Sequence, residues 1–218
     1  MYKKCLFTLI FCLTAIVYSF AQNPNELDTV ALKKAVLDTS SATGYKALLK
    51  KFNETPQYLY PNEGAIVYYG KLFQKGPNAF QNLFAKKPLE ELAKGRKFAE
   101  MIPVGEALLK TNATDLKVLI LLLASYIETK KETEIQLTKA KLQLLLKSVT
   151  LNGVGNSDTS TLKVTSIEDE YVLMDMLGLI GKSRTSKSKT RSVIDRWVVI
   201  RKDDPKEAAF FVEVLHPY

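Results

Sequence analysis

The chain has 218 residues, of which 46% are hydrophobic and 25% are charged, and its formal net charge is +8. These proportions are typical of a globular protein and exclude a disordered or fibrous chain. The charge falls to +6 when the two lysines of the N-terminal leader are left out of the +8, and so modest an excess does not indicate nucleic-acid binding.

Residues 1–21 have the three parts of a secretory signal peptide: a positive start, an apolar run, and small residues before a cut. We predict cleavage between Ala21 and Gln22, export to the periplasm or further out, and no transmembrane span in the mature chain. Both cysteines, Cys5 and Cys12, lie in the leader, so the mature protein is expected to fold without disulfides.

Residues 22–150 carry the apolar periodicity of amphipathic helices. The pattern predicts helices over residues 27–37, 45–52, 58–74, 89–109, 114–128 and 132–149. A loop is predicted over residues 75–88, and Pro103 is expected to break the fourth helix because proline lacks a backbone donor. Helices of ~15 residues joined by tight turns pack as antiparallel hairpins, so we predict a layer like that of helical-repeat proteins.

The segment from Val118 to Ala124 is apolar at every position. A helix without a polar face belongs inside a protein or a membrane, and this one is far shorter than the ~20 residues that span a bilayer. We therefore expect it to be the central buried helix of the helical layer.

The third predicted helix contains two unusual features. Gly64 and Gly70 each cost about 1 kcal/mol relative to alanine inside a helix, which indicates close packing of another backbone. The second feature is a set of four tyrosines in this segment, Tyr58, Tyr60, Tyr68 and Tyr69. Aromatic residues at helical spacing usually belong to the core, and the functional alternative is that these four form a tyrosine-rich groove.

The pattern changes after Val149. Glycine and asparagine make residues 151–160 a turn-rich break, and strand-like runs follow over residues 162–166, 193–201 and 208–215, with a short helix over residues 169–178. We predict a small antiparallel sheet, with its apolar face against the helices, in the region 151–218. The expected fold is α+β, and residues 22–218 are expected to form one structural unit.

Several ordered segments resemble the family named domain of unknown function 4919. They are Tyr45 with Leu48 and Leu49, Val67–Gly70 with Phe73 and Gln74, Leu151–Gly155, Glu168–Tyr171 before Leu177 and Gly178, and Phe210–Val214. The resemblance covers nearly all of the mature chain. It implies an exported protein of helices and strands from Bacteroidetes-type bacteria, and it implies no catalytic residues.

The sequence lacks the residues that the common catalytic sites require. The mature chain has no cysteine, and the one histidine, His216, is two residues from the end. Cysteine–histidine catalysis is thereby excluded, and a serine–histidine–aspartate triad would need a terminal histidine held rigidly in a cleft. Histidine-based metal sites fail for the same reason, so we predict no metal and no cofactor.

The acidic segment Glu168, Asp169 and Glu170 supports two interpretations. A hydrolase needs two carboxyl groups that face each other across a cleft, and two of these three, or one of them with Asp195, would supply the pair. The alternative is capping of the following helix by Glu168 or Asp169, since negative charge favours a helix N-terminus. We prefer the capping interpretation.

The most basic stretch carries five cations among serines and threonines, which predicts a flexible loop. They are Lys182, Arg184, Lys187, Lys189 and Arg191. Such a loop could contact a polyanionic glycan or a lipid surface, whereas single-stranded nucleic acid is disfavoured because stacking aromatics are missing.

These patterns favour a non-catalytic exported protein, a binding or assembly module of the bacterial cell envelope. A carboxylate-based hydrolase that uses Glu168, Asp169 or Glu170 is the first alternative, and polyanion binding through residues 182–191 is the second. The expected partner is an envelope protein or a polyanionic glycan or lipid surface.

Overall fold

The computed structural model describes residues 27–74 and 79–217, without the side chains of residues 79–83, and the predicted leader with its cleavage site at Ala21 and Gln22 lies outside these ranges. The helical part runs α1 Thr29–Leu37, α2 Tyr45–Glu54, α3 Pro61–Gly70, α4 Ala79–Lys94, α5 Phe98–Thr111, α6 Leu116–Glu128 and α7 Glu132–Thr150. Short 3₁₀ turns at Pro56–Tyr58 and Lys71–Phe73 flank α3.

The remainder of the described chain is a sheet with one further helix. Its elements are β1 Leu162–Val164, α8 Ile167–Met176, β2 Leu179–Ser188, β3 Ser192–Arg201 and β4 Ala208–Leu215, and the strand order is β1-β4-β3-β2. The α+β class is confirmed. The sheet is mixed rather than wholly antiparallel, because β1 pairs parallel to β4, with Leu162 opposite Val212. That pairing joins segments about fifty residues apart, which local periodicity does not reveal.

The largest differences from the predicted helix boundaries are in α4 and α5. The helix α4 begins at Ala79, inside the predicted loop, and continues past Pro88, while α5 continues past Pro103. The break lies at Arg96, which adopts a left-handed φ of 53°, and the Lys97 amide donates to the Leu92 carbonyl at 2.9 Å. This closing turn satisfies carbonyls at the end of α4, so the chain reverses there rather than at a proline.

The helix α6 is shielded along its length, as its sequence predicts. Every residue from Thr114 to Tyr126 is buried or half-buried. Leu116 and Leu119 belong to the large apolar core, whereas Val118 and Leu122 belong to a second cluster formed with α4, α5 and α7. The helix is apolar all round because it supplies opposite faces to two cores.

The large core also joins the helices to the sheet. Leu48 and Tyr69 of the helical part lie in the same cluster as Trp197 and Val212 of the strands. The hydrophobic effect therefore stabilises the contact between the two parts as well as each part alone. Among the described residues, no helix combines the length and the apolar character needed to cross a membrane.

Gly64 brings α3 close to α7, although its near neighbours are side chains of α7 and not the backbone that a glycine inside a helix predicts. A Cβ at this position would lie 2.9 Å from Leu144 and closer still to the Ser148 side chain. We expect Gly64→Ala to lower the free energy of unfolding by about 1 to 2 kcal/mol, because the helices must separate. Chemical denaturation measures this value, and Gly95→Ala, where the nearest atoms are at 3.6 Å, is the matched control.

Lys130 is the left-handed residue between α6 and α7, with a φ of 56°. The Lys131 amide donates to the Tyr126 carbonyl at 2.9 Å, which completes the helix-ending turn. We expect Lys130→Gly to raise the free energy of unfolding by about 0.5 to 1 kcal/mol, because glycine adopts this conformation without steric cost. Lys130→Ala removes the same side chain but keeps the strain, and it should bring no comparable gain in thermal denaturation.

Candidate functional site

The acidic segment occupies the first turn of α8. The Ser166 hydroxyl accepts a hydrogen bond from the Asp169 amide at 3.0 Å, so Ser166 is the N-cap. The prediction that Glu168 or Asp169 caps this helix is therefore wrong by two or three positions. The acids follow the cap and lie where the helix dipole favours negative charge. The side chains of the three acids contact three different sets of residues.

Glu168 and Asp115 share the buried amine of Lys86. The Lys86 Nζ lies 3.1 Å from Asp115 Oδ2 and also contacts Glu168 Oε2. Burial alone would lower the pKa of Lys86, but the two carboxylates outweigh it and the pKa is raised. Asp115 also caps α6 by accepting from the Val118 amide. These contacts tie α8 to α4 and α6.

Asp169 is buried against α3. Its Oδ2 atom accepts hydrogen bonds from the Tyr68 and Thr165 hydroxyls, each at 2.8 Å, and it lies 3.6 Å from the Lys71 amine. Burial and the adjacent carboxylate raise the pKa of Tyr68 well above its usual value, so the phenol stays a donor. Tyr69 extends the tie by donating to the Lys163 carbonyl of β1 at 3.0 Å.

Glu170 points to the sheet and meets Asp195 of β3. The Trp197 indole donates to Glu170 Oε1, while Glu170 Oε2 is buried without a hydrogen-bond partner. The pKa of Glu170 is raised to about 7, chiefly by burial and also by the neighbouring Asp195, while the Trp197 indole and Arg184 lower it in part. A proton on Glu170 would let its second oxygen donate to Asp195, which would satisfy the orphaned atom.

Arg184 of β2 covers this carboxyl pair. Its Nη1 atom lies 3.5 Å from Asp195 Oδ2 and 3.9 Å from Glu170 Oε2, and the guanidinium stacks on the Trp197 ring at 5.4 Å. The Ser186 hydroxyl donates to Asp195 from the same strand. Glu170 is 0% exposed and Asp195 is 3% exposed, so neither carboxyl faces a cleft.

The structure thus brings together one of the predicted catalytic pairs and separates the others. Two surface depressions lie on the helical layer, of about 370 and 330 Å³. None of the predicted site residues lines them; their walls come from Arg96–Glu100 with Glu128 and Thr129, and from Glu90, Ala93, Lys94, Lys117 and Leu121. Within the described ranges, no group of three or more acidic, histidine or cysteine side chains is placed to hold a metal ion.

The basic stretch is a strand and not a flexible loop. Residues 179–188 form β2, and each position from Ser183 to Ser188 pairs with β3. The sequence prediction was wrong because an edge strand with solvent on both faces needs no apolar alternation. Only residues 189–191 form the turn into β3. Arg184 is held by the carboxyl pair, and Lys189 lies 3.1 Å from Glu213.

Glu213 shows why Lys189 is not available to a ligand. Its carboxylate also accepts hydrogen bonds from the Ser192 hydroxyl at 2.6 Å and the Thr161 hydroxyl at 3.1 Å. Burial would raise the pKa of Glu213, but these donors and Lys189 outweigh it and hold the pKa below its ordinary value. The ionised acid therefore retains its lysine at neutral pH.

The four tyrosines do not line one groove. Tyr68 and Tyr69 are fully buried and meet edge to face, with ring centroids 4.9 Å apart. Tyr58 and Tyr60, by contrast, are 76% and 72% exposed. The first pair belongs to the core and to the tie described above, and the second pair lies at the surface before α3.

The sequence model of the family described as "Domain of unknown function (DUF4919)" matches residues 30–211, which is most of the chain. The chain belongs to the DUF4919 family. The resemblance drawn from the sequence is confirmed, and the matched range includes every element from α2 to β3. No curated protein and no solved structure matches the chain.

The structure contains contacts around the acidic segment that the sequence did not reveal. The sequence pattern predicts Lys86 in a loop and Trp197 in a strand, with no contact for either side chain. A buried lysine next to two acids, or an indole that meets a carboxyl 27 positions away, leaves no local pattern in a sequence. The one available signal was the run of three acids, which is costly to bury unless each has a partner.

Proposed function

We propose that this DUF4919 protein is an exported, non-catalytic binding or assembly module of the bacterial cell envelope. The observation that carries the proposal is the use of the acidic segment inside the molecule. Glu168, Asp169 and Glu170 each contact a different element, and they leave no carboxylate of the segment for a substrate. The leader pattern over residues 1–21 supports export.

The alternative of a carboxylate-based hydrolase rests on the pairing of Glu170 with Asp195. A carboxyl with a raised pKa beside a second carboxyl is the arrangement of a general acid with its partner. Because both are buried beneath Arg184, a substrate would reach them only if β2 moved away. Burial and internal pairing favour the binding module over this alternative.

Polyanion binding through the basic stretch is weakened by the ion pairs within the sheet. Each cation near an anionic surface contributes about 1 kcal/mol only while it remains available. Arg184 and Lys189 are engaged by buried acids. Arg191 also has an interaction within the molecule. Lys182 and Lys187 make no ion pair in the part of the chain that the structure describes, and two lysines hold a polyanion loosely.

Export is tested by expressing the full chain in a Gram-negative host and measuring the N-terminus of the product by mass spectrometry. We expect a mature protein that begins at Gln22 and fractionates outside the cytoplasm. Ala21→Arg is the control, since a bulky cation before the cut should block processing. An uncut chain that begins at Met1 and remains in the cytoplasm would contradict the proposal.

Catalysis is tested separately with the purified mature chain on panels of chromogenic glycosides and esters. We expect no turnover above background. Turnover that Asp195→Asn abolishes would establish the hydrolase instead, because that substitution removes one carboxyl and retains the side-chain shape.

A further inference from the structure

Strand β2 forms an open edge of the sheet. In the order β1-β4-β3-β2 it pairs with β3 on one side, and no described strand pairs with its other side. Every residue from Ile180 to Ser188 is exposed. The opposite edge, β1, has only three residues, and all of them are buried. An exposed edge presents backbone donors and acceptors to any strand that can lie beside it.

The register fixes which backbone groups point outward. The Lys189 amide donates to the Ser192 carbonyl at 2.8 Å, and in an antiparallel pair such hydrogen-bonded positions alternate with open ones. The amides and carbonyls of Arg184, Ser186 and Ser188 therefore face away from β3. They form a row of three outward donors with their acceptors, spaced for the ladder of an added strand.

The sheet holds this edge in place from inside. The side chains of Arg184 and Ser186 reach the buried Asp195, and Arg184 stacks on Trp197. These contacts order β2 before any partner arrives, so an added strand would not have to offset the entropy of ordering it. The interior contacts leave Lys182 and Lys187 as exposed positive charges on the same strand.

We propose that β2 receives an extended, acidic segment of a partner protein, which adds a fifth strand to the sheet. The inference rests on the proposed binding function and names its surface and the chemistry of the partner. Backbone hydrogen bonds would supply the affinity and the two lysines the preference for acidic residues. A second copy of this chain is the wrong occupant, because two such edges would bring like charges together.

The probe is an acetylated and amidated decapeptide of alternating threonine and glutamate, measured against the mature protein by isothermal titration calorimetry. A second peptide has the same sequence with alternate amides N-methylated, which retains the charge and removes the donors of one edge. We expect the first to bind and the second to bind at least about tenfold more weakly. Equal binding of both peptides would overturn the inference in favour of attraction by charge alone.

Two variants test the edge itself. Ser188→Pro removes an outward amide at an edge position where proline is tolerated, and Ser188→Ala retains it. We expect the proline variant to lose at least about tenfold in affinity and the alanine variant to bind as the parent does, with unchanged circular dichroism in both. If Ser188→Pro does not fold, the comparison of the two peptides still tests whether β2 receives an added strand.

Other outcomes separate this inference from the proposed function. Dextran sulfate that binds as well as the peptide, or a dimer of the free protein in sedimentation, would overturn the strand-addition inference while export and the absence of turnover stand. A cytoplasmic chain that still discriminates between the two peptides would overturn the envelope role and leave the inference intact.

Discussion

Replacing Asp169 with alanine is expected to lower the free energy of unfolding by about 3 kcal/mol. The carboxylate accepts hydrogen bonds from the Tyr68 and Thr165 hydroxyls and faces the Lys71 amine, and its side chain is nearly inaccessible. Its removal leaves the fully buried phenol without an acceptor. That penalty exceeds the net value of the hydrogen bonds themselves, because a lone donor in the interior has lost its water.

The measurement is urea denaturation of the purified mature chain followed by fluorescence. Tyr68→Phe removes the partner of Asp169 instead, and we expect the double variant to cost much less than the sum of the two single ones. Asp175→Ala, on the same helix but 72% exposed and paired only with Lys202, should change the free energy of unfolding by less than about 0.5 kcal/mol. A cost for Asp169→Ala no greater than this control would refute the internal tie.

Glu170→Gln is expected to change how stability depends on pH. The folded-state pKa of Glu170 is raised from 4.5 to about 7, so the folded protein binds this proton more tightly than the unfolded chain does. The contribution is present in full below pH 4.5 and is lost as pH rises through about 7. The loss amounts to at most about 3.5 kcal/mol, because each pKa unit is worth about 1.4 kcal/mol.

Glutamine keeps an acceptor for the Trp197 indole and a donor toward Asp195, and it cannot ionise. We therefore expect Glu170→Gln to match the parent near pH 4.5 and to exceed its free energy of unfolding by about 1 to 3 kcal/mol at pH 8. The difference between the two proteins, measured by denaturation from pH 4.5 to 8, isolates this group from all other titrations. A difference between Glu170→Gln and the parent that stays constant from pH 4.5 to 8 would show that Glu170 titrates normally.

The sequence predicted the helical layer well because its signals are local. The apolar run in α6 specifies burial wherever the helix lies, and Gly64 indicated a close neighbour without saying which. The edge strand β2 gave no such signal, since solvent on both of its faces removes the alternation that marks a strand. The apolar side chains of this strand pair belong to β3, so the sequence of β2 alone does not reveal the pairing.

The site was predicted only as a set of candidates. The run of acids was visible, but the destination of each one is decided by packing: Glu168 meets a lysine 82 positions away and Asp169 a tyrosine 101 positions away. The hydrolase hypothesis pairs one of the three acids with Asp195, and the structure places Asp195 beside Glu170. Periodicity does not reveal the role of Arg184: the sequence predicts it in a flexible loop, and the structure places it over the carboxyl pair.

The helix α6 has a consequence for how the molecule comes apart. Leu119 on one side of the helix and Leu122 on the other belong to separate apolar clusters, so both clusters lose buried contacts when the helix unfolds. The two cores should therefore melt in a single calorimetric transition, and the amides of α6 should be among the last to exchange with deuterated solvent. Because both clusters depend on α6, they are expected to unfold as one cooperative unit.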